Sequence, residues 1–600
     1  MSAQVDGETS AAELDDDSSA PRPRGKAGRR FALGFVLVLV VLVIAAGWVT
    51  FRAVQATGAL MDARDVVSTM ESGVDQRDAA ALTAALPQAQ EATARARHAS
   101  SDPVWKLAEH VPWAGDQLHA VSAVSSALDD LTQDALPAVG DIAELVQGSG
   151  LRRDDGSIDV EALAAAAPAL TDAAAVARSA HARVASIDTS DLVGPLAGPV
   201  GDAETRLASV AGLLTAADSA ASLLPPMLGG DGPRTYLVLA LNSAELRSAG
   251  GIVGSILEVK ADDGRLALGR QISTAQLKGI AEPVVPLTPA ETTLHGDRLG
   301  RWIQNAVATP DFPRSAQLIT ARWERDVHGK VDGVVATDPV AVQEVLRSLG
   351  PVKAADGRTL QADSILKLLL RDAYRNAASG AQADALFSSV AGSIFGALTG
   401  GAGSTTGLVD AVQTASDQGR FRLWSAHDDE QAALVTTGLG SAFLTGDHPD
   451  AAGVFLNDAT EGKLDYYLDA DVSVQCSADA STATVRVTLS YEPPKDVEKL
   501  PEFARGARPR AVPPGSLATG LLFYAPVGAQ LDAVRQDGDL VAGATATEAG
   551  RRALAATSVL APGGSTVYEM TVPVRHGQVD VWTTPTVTGS GYVGATCTKG

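Results

Sequence analysis

Residues Arg234–Leu266 read RTYLVLALNSAELRSAGGIVGSILEVKADDGRL, and the reading of this stretch decides how the middle of the chain folds. Tyr236–Leu241 is an unbroken apolar run, the pattern of a strand buried on both faces. Asn242–Gly251 is polar and holds Glu245, Arg247 and the pair Gly250-Gly251. A second apolar run, Ile252–Val259, returns and ends at the turn Asp262-Asp263-Gly264. Two core strands around a polar, glycine-bearing loop are a common way for a rigid scaffold to display a binding site.

Downstream of this hairpin, Ser315 is placed to cap a helix striped by Ala316, Ile319, Trp323 and Val327 and ended by Gly329. Val331–Thr337 predicts a short strand. Asp338 then caps a helix with Pro339 at its first position, and Gly350-Pro351 ends it. Ile365–Tyr374 predicts the core of a further helix. Strands alternating with helices make this an α/β domain. From about Lys463 the texture changes: VSVQCSA, TATVRVTLSY, LLFYAPV, TVYEMTVPV and VDVWTTP alternate in period two between Gly, Pro and Asp clusters. That pattern predicts an antiparallel β-sandwich.

Upstream, Pro225, Pro226 and the Gly-Gly-Asp-Gly run 229–232 read as a linker. Residues 52–228 read as helical throughout. Leu60, Ala63, Val67, Met70 and Val74 line one helix face, and Val121, Val124, Leu128, Leu131 and Ala135 line another after the kink WKLAEHVPWAGDQL. Pro87, Pro112, Pro137, Pro168 and the Gly/Pro cluster 194–201 are expected to divide the stretch into several helices of a stalk or bundle. Residues 1–30, acidic and then basic with few large apolar side chains, are expected to be disordered.

Phe31–Phe51 is 21 residues without a charge, about 31 Å of helix at 1.5 Å per residue and enough to span a hydrocarbon core. Arg22, Arg24, Lys26, Arg29 and Arg30 precede it, whereas only Arg52 and Arg64 lie close behind. The positive-inside rule keeps the tail cytoplasmic and sends residues 52–600 outside. The run is long for a signal peptide, and no small-x-small cleavage site follows it. Outside the cytoplasm the two cysteines, Cys476 and Cys597, are expected to form a disulfide.

Composition narrows the partners. Lys+Arg 48 against Asp+Glu 71 leaves a net charge of −23, with no basic cluster beyond the first thirty residues, which argues against nucleic acid. Aromatics are 4%, so Ala and Val must build thin cores in some helices. None of the nine histidines falls in an H-x-x-x-H pattern, there is no C-x-x-C, and no metal site is expected. His427-Asp428-Asp429-Glu430 is ligand-like, but a helix start with acids against the dipole explains it equally. There is neither a G-x-S-x-G elbow nor a Walker loop. What remains is the 242–251 loop, with Asn242, Glu245, Arg247, Gly250 and Gly251 as candidate ligand-binding residues. Arg247 could fork onto phosphate oxygens while bare backbone N–H groups approach; a capped turn with a Glu245–Arg247 ion pair is the structural alternative.

The anchor, the helical region, LVLALNSAELRSAGGIVGS (237–255), the segment from ATPDFPRSAQ to GPV (308–352) and GKLDYYLDADV (462–472) together resemble a bacterial family catalogued as domain of unknown function 4012. That resemblance covers residues 31–600. It implies a membrane-anchored envelope protein associated with surface-polysaccharide genes, with no activity assigned. The central part also resembles the LytR-CpsA-Psr phosphotransferases, which attach lipid-pyrophosphate-linked glycopolymers to the cell wall. Arg247-Ser248 matches their Arg-Ser, and Val331–Val352 follows their later strand and helix. Ala249 stands where that family has an acid, and residues 272–276 lack its Arg-Asp pair, so the groups it uses on Mg²⁺ and pyrophosphate are missing.

The expectation is therefore a multidomain, single-pass protein: cytoplasmic tail 1–30, transmembrane helix 31–51, helical stalk 52–228, LytR-CpsA-Psr-like α/β domain 229–460 and β-sandwich 461–600. Expected partners are the membrane and surface polysaccharide or a polyprenyl-pyrophosphate glycan, bound without catalysis. Two alternatives stay open. One is a phosphotransferase using Mg²⁺ on acids such as Asp311 or Asp338, the only reading that needs a cofactor. The other is a scaffold for envelope proteins.

Overall fold

The computed structural model describes residues 26–75, 79–140, 151–153, 155–506, 512–531 and 533–598. Most of the tail expected to be disordered, with Arg22 and Arg24, lies outside them. Helix begins at Lys26, ahead of the predicted start at Phe31. The chain divides into two compact units. One holds the described residues up to Leu136 with Val176–Ser209; the other holds Pro137–Ala175 and everything from Val210.

The first unit is built from the helices Lys26–Asp75, Ala79–Ala99, Pro103–Ala108 and Ala114–Asp130. Its core is thin, as the composition requires. Ala56, Ala59 and Ala63 are buried on the first helix and Ala85, Ala89, Ala92, Ala96 and Ala99 on the second. The second set repeats at 4, 3, 4, 3, so one helix face is a stripe of methyl groups that lets a neighbour come close. Buried Val121, Val124, Leu131 and Ala135 follow the predicted stripe. The side chains of Val67, Met70 and Val74 lie outside the described residues. Among the described residues three apolar helices are long enough to cross a membrane: Phe35–Arg64, Val160–Ala185 and Gly194–Met227. None of the first helix's most apolar window is buried, whereas 28% and 22% of the other two are; Leu170, Ala173, Ala174, Ala177 and Val184 are core.

Prolines divide this region less than the sequence suggests. Pro112 does lie at a break, but Pro87 and Pro168 sit inside continuous helices. Gly194–Met227 carries the Gly/Pro cluster in its first turns and Pro225-Pro226 in its last. A proline in a first turn loses no hydrogen bond, because that N–H has no helical acceptor.

In the second unit the strands begin with the predicted hairpin, β1 (Arg234–Asn242) and β2 (Ile252–Asp262), followed by β3 (Arg265–Ser273), β4 (Gly333–Thr337), the small pair β5 (Val352–Lys353) and β6 (Thr359–Leu360), and β7 (Arg422–Ser425). The central sheet runs β3-β2-β1-β4-β7. β1 pairs parallel with β4 and antiparallel with β2. Leu237, Leu239, Leu241, Val253 and Ile256 form one buried cluster with Phe312, Ile319 and Trp323 of helix Phe312–Asp326. Tyr236, Val259 and Ala261 pack with Met227 in another. Ser315 is not that helix's cap: the helix starts at Phe312 with Pro313 in its first turn, and Ser315 Oγ bonds back to Asp311 O. Asp338 caps Pro339–Leu349 as predicted, accepting from Ala341 N, and Gly350 closes it at φ +73.

Two sheets complete the unit. One runs β13-β12-β16-β10-β9, the other β14-β15-β11-β8-β17-β18. Their strands are β8 (Ala452–Asp458), β9 (Leu468–Cys476), β10 (Thr482–Tyr491), β11 (Leu517–Tyr524), β12 (Val534–Gln536), β13 (Asp539–Leu540), β14 (Ala544–Glu548), β15 (Arg551–Leu560), β16 (Gly564–Pro573), β17 (Gln578–Thr583) and β18 (Tyr592–Thr596). Val485, Val487, Leu489, Tyr568 and Met570 of the first sheet share one cluster with Val454, Leu456, Leu521, Phe523 and Val581 of the second. Pairing is antiparallel except between β17 and β8. Strand β8 lies before residue 461 yet sits inside the six-stranded sheet. A Cys476–Cys597 disulfide joins the end of β9 to the residue after β18.

Candidate functional site

The 242–251 loop was expected on display, and the structure corrects this: every residue from Leu241 to Val253 is buried. The turn is built by its own sequence. A bulge between Ala240 and Leu241 ends the regular β1–β2 ladder. Asn242 Oδ1 then accepts from Ala244 N at 3.0 Å, a side-chain turn that frees the backbone from the sheet. Gly250 holds φ +106, and a Cβ at Gly251 would stand 2.4 Å from the Asn242 carbonyl carbon. Both glycines are thus required by the path of the chain.

What covers the loop comes from more than two hundred residues away. Leu246 N donates to Asp465 Oδ2 at 2.7 Å, Asp458 N to Leu246 O at 2.9 Å and Ser248 N to Asn457 Oδ1 at 3.2 Å. A Cβ at Gly250 would meet Pro585. The final strands therefore close over the place where a ligand was expected.

Each candidate side chain is engaged inside this enclosure. Asn242 Nδ2 bonds Tyr374 Oη. Arg247 donates Nε to Asn305 Oδ1 at 3.0 Å, Nη1 to Leu246 O at 2.7 Å and Nη2 to Glu245 Oε1 at 2.9 Å. Glu245 Oε2 takes Lys463 Nζ. The Glu245–Arg247 pair suggested by the sequence is present, but as part of a buried network. Lys463 and Asp465 belong to the GKLDYYLDADV segment, whose charges in otherwise strand-forming sequence were the available signal. Asn305, Asn457 and Asp458 carried none.

The network contains three carboxylates, Glu245, Asp458 and Asp465, against Arg247 and Lys463. Burial alone would raise Glu245, but Lys463 and Arg247 override it and hold it below the ordinary range. Burial and the Glu245 charge push Asp458 up to about 6. Burial and the Asp458 charge raise Asp465 well above its ordinary value. Among the described residues Asp465 Oδ1 has no hydrogen-bond partner. A carboxyl that cannot share the cations keeps its proton instead.

The acids that a metal-dependent reading would need are also engaged. Asp311 accepts from Leu444 N at 2.9 Å and Thr445 N at 3.2 Å. Asp338 Oδ2 pairs with Arg420 Nη1 at 2.8 Å while Oδ1 caps its helix. His427 precedes helix Asp428–Thr436, with Asp428, Asp429 and Glu430 in its first turn, and Arg234 pairs with Glu430 at 3.2 Å. Among the described residues no three His, Cys, Asp or Glu side chains are grouped to hold a metal ion.

No curated protein matches the chain. Among solved structures, TagV of B. subtilis covers 35% of this chain and 80% of its own, at 13% identity and a TM-score of 0.21, a likeness too slight to bear on function. The family described as protein of unknown function (DUF4012) has its model matched by residues 231–374, which begin just before β1 and end at Tyr374, the partner of Asn242.

Proposed function

We propose that this chain is a single-pass protein of the cell envelope. In this reading the tail up to residue 30 is cytoplasmic and residues 52–600 lie outside. There they bind or organise surface glycopolymer, or its polyprenyl-pyrophosphate carrier, without catalysis. The observation that carries the anchor is the bare apolar helix: Phe35–Ile44 is exposed along its whole length, which water tolerates poorly and a bilayer favours. The Cys476–Cys597 disulfide is consistent with an oxidising compartment. The polymer rests on the resemblance of the family, and the absence of catalysis on the engagement of Arg247, Asp311 and Asp338 by protein atoms.

Within this proposal Asn242, Glu245, Arg247, Gly250 and Gly251 act as framework, joining the central sheet to the C-terminal sheets. The enclosure of their loop also favours a second reading, a scaffold for envelope proteins. Two measurements test the proposal. Protease added to intact protoplasts should degrade residues 52–600; protection would reverse the orientation. Calorimetric titration of the full chain in nanodiscs with a short-chain lipid pyrophosphate and with soluble envelope polysaccharide should show binding of one of them. No binding to either favours the scaffold, and Mg²⁺-dependent cleavage of the lipid pyrophosphate to the lipid monophosphate would make the chain a phosphotransferase.

A further inference from the structure

We propose that residues 103–113 form a second membrane contact, a short apolar wedge that lies in the lipid headgroup region beside the anchor helix. This rests on the anchor reading above. The segment is pinned at one height on that helix. Asp102 caps Pro103–Ala108 by accepting from Val104 N at 2.9 Å and Trp105 N at 3.1 Å. The same carboxylate takes Arg52 Nε at 2.9 Å and Trp48 Nε1 at 3.3 Å. Arg52 is the first charge after the uncharged run from Phe31. At 1.5 Å per residue that point lies about 31 Å along the helix from Phe31, roughly one hydrocarbon thickness. The segment is thus held where the apolar core would give way to headgroups.

Its side chains divide accordingly. Trp105 is wholly buried and packs with Ala56 and Val121, with Val49 and Ala53 against them. That plug fixes the segment to the helix, so the other apolar groups are not needed for the core. Leu107 is 74% exposed, Trp113 69% and Val111 51%. The turn presenting them is tight: Gly115 N donates to Val111 O at 2.7 Å, and a Cβ on Gly115 would stand 2.1 Å from Glu109 O. Trp113 sits at φ +67, a conformation a bulky residue rarely adopts without surroundings that impose it. Lys106, paired with Glu109 at 3.1 Å, stands on the same segment.

Lipid is the occupant these observations favour. The segment is tied through Asp102 to Trp48, which is exposed, as is Phe51 with its ring 6.0 Å from the indole. Indole rings and aliphatic groups beside a cation are what the interfacial zone of a bilayer takes up.

The test uses the full chain reconstituted in vesicles of phosphatidylcholine and phosphatidylglycerol. A polarity-sensitive fluorophore is placed on Leu107→Cys, with Val111→Cys as a second position should the first disturb folding. The same label on Val43→Cys reports the anchor, and on Glu91→Cys it reports exposed helix surface. The native cysteines are paired and do not react. The expected result is blue-shifted emission at 107 and 111, lost to a lipid-attached quencher and insensitive to aqueous iodide, while position 91 responds to iodide. Iodide access at 107 and 111 with lipid quenching at 43 overturns the wedge and leaves the anchor standing. Iodide access at 43 as well overturns the anchor reading itself. Shielding of 107 and 111 from both quenchers means a protein or a second copy covers the segment, and the proposal falls.

Discussion

The N-terminal helices and the loop at the top of β1 invert the usual arrangement in opposite ways. In the first, large apolar side chains from Phe35 to Ile44 and at Leu107, Val111 and Trp113 face outward. In the second, Glu245, Arg247, Asp458 and Asp465 are gathered away from water, with Lys463 half-buried against Glu245. Each inversion needs an environment to make it tolerable: an apolar one for the exposed carbon, and a closed set of hydrogen bonds for the enclosed charge. The region that looked functional by its polarity has its partners inside the chain. The region that looked like a connection between helices presents the uncovered surface.

The largest expected effect is on the C-terminal sheets that supply the cover over the loop. Cys597→Ser should destabilise the C-terminal sheets by about 4–5 kcal/mol in the chain-entropy model, since the disulfide closes a loop across 121 positions. Thermal melts of oxidised wild type and variant check it, and equal melting temperatures would mean the strands hold without the link.

Next, Arg247→Ala should cost about 3–5 kcal/mol, because it takes one donor from a buried carboxylate and from two carbonyls and leaves three carboxyl groups against Lys463 alone. Denaturant unfolding measures this. A loss under about 1 kcal/mol would show the loop open in solution, as a surface ion pair is worth no more than that.

A third prediction concerns pH. Asp458 and Asp465 have folded pKa values above their unfolded ones. The stability they contribute is therefore fully present below the ordinary carboxylate value of 3.8 and is lost as pH rises through the folded values, about 6 for Asp458. Asp465→Asn imitates the protonated group and keeps an oxygen for Leu246 N. It should be near neutral at pH 4 and increasingly stabilising relative to wild type toward pH 8. Unfolding series at several pH values decide it; a constant difference would remove the buried proton from the account.

The smallest effect sharpens the contrast between enclosed and exposed charge. Arg298 and Glu461 form an ion pair of 2.5 Å with both side chains reaching water. Arg298→Ala should change stability by less than about 1 kcal/mol, and less still in high salt.

The chain's own order of residues determined much of this. The uncharged run at 31–51, the hairpin around residue 234, the Asp338–Pro339 helix start and the period-two strands after 463 are local patterns of burial or capping, which neighbours in sequence suffice to set. The proline breaks were misjudged because Pro87 and Pro168 sit inside helices that run on past them and the Gly/Pro cluster falls in the first turns of another, and the helix at Phe312 because Pro313, rather than Ser315, lies at its start. Tertiary structure alone decided that β8 joins the last sheets and that the 242–251 loop is enclosed. Polarity within ten residues shows that hydrogen bonds are needed, not where their partners lie. Asp458, Lys463, Asp465 and Pro585 reach the loop from more than two hundred positions away, and only the path of the folded chain brings them there.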